Sequence, residues 1–215
     1  MNFCSVCGQP VIVKVPEGDH LPRFVCSACG AIHYQNPRII AGCVIETEDK
    51  ILLCKRAIEP RLGYWTIPAG FMENGESVQN AAAREAIEEA LAQVQIGPLL
   101  AIVNVLHADQ VHIMFRGRLI NPAFGVGPES LETALYLEDE IPWDEIAFRS
   151  VEFALRRYLE DRRDGVERTH FKDIDLRGRV PFITMLAVVL ALMFAAIDPP
   201  KVLFGVFLVY AVSGP

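Results

Sequence analysis

The chain has 215 residues, room for one or two domains. Its formal net charge of −7 argues against a general nucleic-acid-binding surface. The apolar fraction of 52% is high for a soluble protein, but most of the excess lies in residues 180–215, so the averages describe two different materials.

The opening MNFCSVCGQP has no basic stretch followed by an apolar one, so no secretory signal is expected. Four of the six cysteines fall in two pairs, Cys4 with Cys7 and Cys26 with Cys29, in the pattern C-x2-C-x18-C-x2-C. Each pair can turn two thiolates toward one point, and two pairs close a tetrahedral zinc site with no open position, so this zinc is structural. Two disulfides are the alternative, but nothing indicates an oxidising compartment. Gly8 and Gly30 each follow a pair, where a tight knuckle needs a permissive backbone. His33 could replace one thiolate; a surface or interdomain role is the preferred reading. Residues 1–35 are thus a zinc module.

IIAGCVIE (39–46) and ILLCKR (51–56) read as a hairpin around an acidic turn, with Cys43 and Cys54 as core residues. EPRLGYW (59–65) is a loop. Ser77 is the expected N-cap of a helix through the Ala81–Ala83 block to about Ala90. LLAIVNVLH (99–107) and QVHIMFRGRLI (110–120) are strands, the second with one buried face because Val111, Ile113 and Phe115 alternate with His112, Met114 and Arg116. A Gly/Pro loop (121–130), a short strand (133–138) and an amphipathic helix introduced by IPWDEIAF and ending near Arg163 follow. Strands and helices do not alternate regularly, which predicts an α/β domain with a mixed sheet between helices.

On the first helix, Glu85, Glu88 and Glu89 occupy positions i, i+3 and i+4 of one face. Such a stripe is a hard-oxygen site suited to magnesium or manganese. The ENGE loop can bring Glu76 back toward it, and Arg84 can hold a carboxylate or the loop through a bidentate pair. Taken alone, three glutamates in five residues are more often a solvated acidic face.

Gly70, Glu76, Arg84, Glu85, Glu88 and Glu89 together resemble the Nudix hydrolase motif G-x5-E-x7-R-E-U-x-E-E-x-G-U, where U is a bulky aliphatic residue. The chain departs from it at Ala86, which is small, and at Leu91, where the family has glycine; without that stop the helix is expected to run on toward Gln95 and end at Gly97. The resemblance covers about residues 3–160 and is to a subgroup with an N-terminal zinc ribbon whose relatives act on FAD and ADP-ribose. The SQPWPFP signature of the NADH pyrophosphatases is absent.

The resemblance implies a Nudix α/β/α sandwich over residues 36–163 behind a zinc ribbon (1–35). It implies Mg2+- or Mn2+-dependent hydrolysis of a nucleoside diphosphate linked to another group. Glu85, Glu88 and Glu89 become metal ligands, joined by the Gly70 carbonyl and by Glu76 as a supporting ligand or as the partner of Arg84. The general base is a helix glutamate or a loop acid, Glu132 or Glu129. Arg56, Arg61 and Gln110 are candidate substrate contacts, while Tyr64 and Trp65 could stack on a ring, core packing being favoured for Trp65. A homodimer follows by family analogy. A nucleotide-binding regulator without catalysis and a membrane-tethered adaptor are the rival readings.

Residues 164–179 read as a charged linker. VPFITMLAVVLALMFAAI (180–197) is uncharged and as a helix would be about 27 Å long, just enough for a hydrocarbon core. Residues 170–215 also resemble the end of a bacterial phosphatidylserine synthase, without that family's catalytic signature. The tail is read first as a membrane anchor, giving a cytoplasmic protein attached to the inner membrane; a fusion relic and a buried apolar hairpin are the alternatives.

Overall fold

A computed structural model describes residues 1–175. The apolar tail, with its membrane-anchor and synthase readings, lies outside the described residues. Among those described, no helix is long and apolar enough to cross a membrane.

The cysteine module is a small antiparallel sheet of β1 (Val11–Lys14), β2 (Arg23–Cys26) and β3 (Ile32–His33) in that order. Two turns carry the cysteine pairs, and Gly8 and Gly30 take positive φ in them, 73° each. Amides at both knuckles bond back to the leading cysteine: Gly8 N–H to Cys4 O at 2.9 Å and Gly30 N–H to Cys26 O at 3.0 Å.

The main sheet is mixed. β4 (Arg38–Thr47) and β5 (Lys50–Arg56) form the expected hairpin, and Glu48 turns it at φ 53°. β4 then runs parallel to β9 (Gln110–Leu119), which pairs antiparallel with β8 (Val94–Val105). β10 (Ser130–Tyr136) covers β5, and β11 (His170–Ile174) lies parallel to β8, for an order β10-β5-β4-β9-β8-β11. Two short strands sit beside this path: β6 (Trp65–Thr66) pairs with β5 and β7 (Ala69–Phe71) with β4.

α1 (Val78–Ala90) packs on one face through Ala81, Ala82, Ala86 and Ala90, all fully buried against a cluster that includes Cys43, Ile45, Leu52 and Phe115. Small residues let the helix axis approach the sheet closely, so Ala86 fills the place of a bulkier aliphatic without leaving the core. α2 (Arg149–Asp164) covers the other face through Val151, Ala154, Leu155, Tyr158 and Leu159, packed on Val44, Leu53, Val103 and Met114. Helices on both faces make an α/β/α sandwich.

Several local expectations are corrected. β9 is buried on both faces, since His112, Met114 and Arg116 face a helix just as Phe115 does. α1 does not run on: Leu91 itself takes the left-handed cap, φ 49° and ψ 26°, its N–H bonding to Ile87 O at 2.9 Å. A leucine there costs roughly 1–2 kcal/mol relative to glycine. The last helix, by contrast, is as expected: IPWDEIAF leads into α2 through a 3-10 turn at Trp143–Glu145, and α2 ends at Asp164, next to Arg163, with Gly165 as its cap at φ 66°. The stretch read as a charged linker contains β11, which is bonded into the domain.

Candidate active site

Ser77 caps α1 as its hydroxyl accepts from the Asn80 N–H at 3.2 Å, which aims the acidic face at the turn carrying β7. The organising group on that face is Arg84. Its Nε and Nη2 donate to the two Glu76 oxygens at 3.2 and 2.8 Å, its Nη1 donates to Glu85 at 2.7 Å and Glu88 at 2.8 Å, and Nη2 also reaches the Phe71 carbonyl at 3.0 Å. One guanidinium thus ties three carboxylates and the strand β7 together. The Glu73 N–H adds 2.7 Å to Glu76, closing the ENGE loop.

β7 meets the helix face directly. The Ala69 N–H donates to Glu89 at 3.2 Å. The Glu85 carboxyl lies so close to Gly70 that a Cβ there would meet all three of its terminal atoms at 2.4 Å. Glycine at position 70 therefore makes the room that the acid occupies. Gly42 does the same one strand over, where a Cβ would meet the Ala69 Cβ at 2.4 Å.

The three acids differ electrostatically. Burial pushes the Glu89 carboxyl up to about 8, with the Ala69 amide pulling the other way and Glu85 and Glu129 adding to the rise. Burial also raises Glu85, against the pull of Arg84. Glu88 is half exposed. Two buried carboxylates that resist carrying charge together are a set that a divalent cation would satisfy, and all donors are hard oxygens. Glu85, Glu88 and Glu89 offer the hard-oxygen donor type that magnesium or manganese takes, with the Gly70 backbone alongside, but among the described residues only the four cysteines bring their donor atoms within 4.8 Å of one another.

The four cysteines fit zinc. Their sulfurs all lie within 4.8 Å of one another, with Cys4 to Cys29 at 3.7 Å and Cys7 to Cys26 at 3.5 Å. Tetrahedral Zn–S bonds of about 2.3 Å require sulfurs roughly 3.8 Å apart, far from the ~2 Å of a disulfide. The thiols share charge unevenly: a backbone hydrogen bond from Cys29 leads the causes that lower Cys26 to about 6, while Cys7, despite the Gln9 backbone hydrogen bond that pulls it down, is raised by its neighbouring sulfurs. His33 stands beside this set, Nε2 3.2 Å from Cys4 Sγ.

The remaining expected site residues are spread unevenly. Of the two loop acids, Glu129 is the one whose charge acts on both Glu85 and Glu89. Glu132 sits on β10 and pairs with Lys55 at 3.9 Å. Arg56 acts on Glu89 as well; its guanidinium lies over Phe148 at 5.0 Å and its Nε donates to Pro60 O at 2.8 Å. Arg61 lies over Tyr64 at 5.2 Å in the exposed loop. Gln110 contacts His112 Nε2 at 3.1 Å at the start of β9, opposite Arg38, while Gly70 pairs with Ala41, so Gln110 lies roughly 10 Å further along the strand direction than Gly70. Trp65 is core, edge-on to Tyr136 at 5.2 Å.

The loop before β10 was not expected to touch the helix. The Gly125 N–H donates to Ala90 O at 2.7 Å and the Gly127 N–H to Glu89 O at 3.1 Å, capping carbonyls that the helix end leaves open. A Cβ at Gly127 would lie 1.8 Å from Glu88 O. The G-V-G spelling of residues 125–127 is the signal that could have announced such a close approach.

Comparisons with known proteins agree with this geometry. The profile described as Nudix N-terminal, a zinc ribbon, matches residues 2–35, and the NUDIX domain profile matches residues 36–149. A NUDIX hydrolase of known crystal structure from Nitrosomonas europaea is 52% identical, with a TM-score of 0.78, covering 81% of this chain and 99% of that one. An ADP-ribose pyrophosphatase from Streptococcus suis 89-1591 is 25% identical with a TM-score of 0.53, over 63% of this chain and 99% of that one. The NAD-capped RNA hydrolase NudC of Salmonella heidelberg is 38% identical over 97 residues, 44% of this chain; the chain spans 35% of that relative's length.

Proposed function

The chain belongs to the Nudix hydrolase family, and on that premise we propose that it hydrolyses the pyrophosphate bond of a nucleoside diphosphate linked to a second group, with ADP-ribose and FAD as the leading substrates. The observation that carries this reading is the Arg84-centred acid face, in which Glu85 fills the space left by Gly70 and Glu89 is buried against Ala69. Arg84 pairs with Glu85, whereas Glu89 is buried on the Ala69 amide, a costly placement that a bound cation would offset.

In the mechanism, Glu85, Glu88 and Glu89 would hold the divalent ions, which when bound would offset the diphosphate charge and lower the pKa of a water so that it gives up its proton more readily. Arg84 keeps the carboxylates in register with β7, and Glu76 orients Arg84. Glu129, on the loop that docks on the helix end, is the acid we assign to take the proton from the attacking water; Glu132 is the weaker candidate because Lys55 engages it. Arg56, held over Phe148 within electrostatic reach of Glu89, is the phosphate contact we favour over Arg61 and Gln110.

The test is hydrolysis of ADP-ribose, FAD, NADH, diadenosine polyphosphates and an NAD-capped RNA, each with and without magnesium. Magnesium-dependent release of AMP from a small diphosphate is expected, with Glu88→Gln abolishing it in a folded protein. Full turnover by Glu88→Gln would remove the metal assignment, and turnover of the capped RNA alone would replace the substrate class. Dimerisation and attachment through residues 180–215 rest on family analogy and on the apolar run; sedimentation of the full chain with and without vesicles tests both.

A further inference from the structure

We propose that Leu91 is a positioning residue for the reaction: its side chain holds the Gly125–Gly127 backbone on the end of α1 and so fixes Glu129 between that helix end and the end of β5. The inference rests on the reading of Glu129 as the proton acceptor.

Position 91 is where the family motif has glycine, and the backbone conformation here is the one glycine adopts freely, φ 49°. The turn closes as it would with glycine, Leu91 N–H to Ile87 O at 2.9 Å and Ala92 N–H to Ala86 O at 3.1 Å. A leucine therefore stands here against its own backbone preference. Core burial does not account for it, because the residue is 55% exposed. Its contact does: Leu91 Cδ1 lies 3.2 Å from where a Cβ on Gly125 would stand, so the side chain rests on the bare backbone of Gly125.

That backbone is the first anchor of the loop. Gly125 and Gly127 donate to Ala90 O and Glu89 O, and the approach at Gly127 is so close that only glycine fits. The second anchor lies past the acid, where Ala57 N–H donates to Glu129 O at 2.9 Å and Ser130 N–H to Gly127 O at 3.1 Å. Glu129 is thus suspended between the helix end and the end of β5. Without the leucine side chain, the first anchor keeps its hydrogen bonds but loses the contact that presses it onto the helix; the second is untouched.

The experiment compares the full chain with Leu91→Gly, Leu91→Met, Glu129→Gln and the Leu91→Gly/Glu129→Gln double variant, using ADP-ribose, FAD and NADH in magnesium. Leu91→Gly should melt no lower than the parent, because it relieves the left-handed leucine. Its kcat should fall by roughly tenfold while KM stays within about twofold, as for a small displacement of a reacting group. Leu91→Met should recover most of the rate, and Leu91→Gly should add nothing once Glu129 is glutamine. If Glu129→Gln loses activity but Leu91→Gly keeps full kcat, or if the two losses multiply, the role of Leu91 is overturned and Glu129 stands. If Glu129→Gln keeps full kcat, the assignment of Glu129 fails first.

Discussion

Arg84 and Glu76 meet through two hydrogen bonds, Nε to Oε2 at 3.2 Å and Nη2 to Oε1 at 2.8 Å. The pairing fixes the plane of the guanidinium, and Glu85, Glu88 and the Phe71 carbonyl then take the remaining donors. A lysine carries the same charge but cannot fill this fork. Arg84→Lys should therefore fold normally and lower magnesium affinity by about 10–100-fold, the usual effect of disturbing a group that orients metal ligands. Isothermal titration with magnesium or manganese, beside a thermal melt, reads both.

Gly70→Ala tests the room made for Glu85. The new methyl would meet the Glu85 carboxyl at 2.4 Å, and the far end of a flexible side chain can swing away. The expected result is a melting temperature within a few degrees of the parent and a kcat lower by roughly a hundredfold, the order expected for a misplacement of about 1 Å. Unchanged activity would mean that Glu85 is free to stand elsewhere.

The buried Glu89 sets a pH dependence. Its folded carboxyl is raised to about 8, above its unfolded value, so the folded state binds more protons in between. Its contribution to the stability of the metal-free protein is complete below the ordinary carboxylate range and is lost as pH rises toward about 8. Magnesium competes with that proton, so apparent magnesium affinity should rise over the same interval. Melting curves at a series of pH values, with and without magnesium, should diverge toward pH 8, and Glu89→Gln should flatten the divergence.

Asp161 is fully buried on α2 and accepts from Arg116, from His170 Nε2 at 3.0 Å and from the Arg168 N–H at 3.1 Å. Burial alone would raise its carboxyl, but these donors outweigh that and hold it below the ordinary value. The stability it supplies is therefore present above that ordinary value and lost as pH falls through the lower, folded one. Asp161→Asn should cost about 3–5 kcal/mol, since it strands a buried arginine. Hydrogen exchange at residues 170–174 should rise more than at α1.

The zinc module, the β4–β5 hairpin and the acidic helix were legible because each follows from spacing: paired cysteines, two apolar strands around an acidic turn, and carboxylates at helical intervals. The alanine face of α1 was visible too, though not that Ala86 lies wholly within the core. What stayed hidden depends on distant partners. Leu91 stops its helix in a conformation that no local preference announces, because the loop at Gly125 lies 34 residues further on. β9 looked half-exposed because His112 and Arg116 are polar, yet Arg116 is neutralised by Asp161 from α2. β11 reads HFKDI, too charged and too short to suggest a strand until β8 supplies its ladder. Nothing local separates Glu129 from Glu132; the Lys55 pair that sets Glu132 apart comes from β5.

The parallel pairing of His170–Ile174 with Ala101–Val105 also sets where the polypeptide can be trimmed. A cut after the last helix would strip Asp161 of the His170 and Arg168 donors and leave a long strand with an open ladder, a template for sticking to its neighbours. A cut just past Ile174 keeps both donors and leaves only the short β11, five residues with charged side chains, at the margin of the sheet.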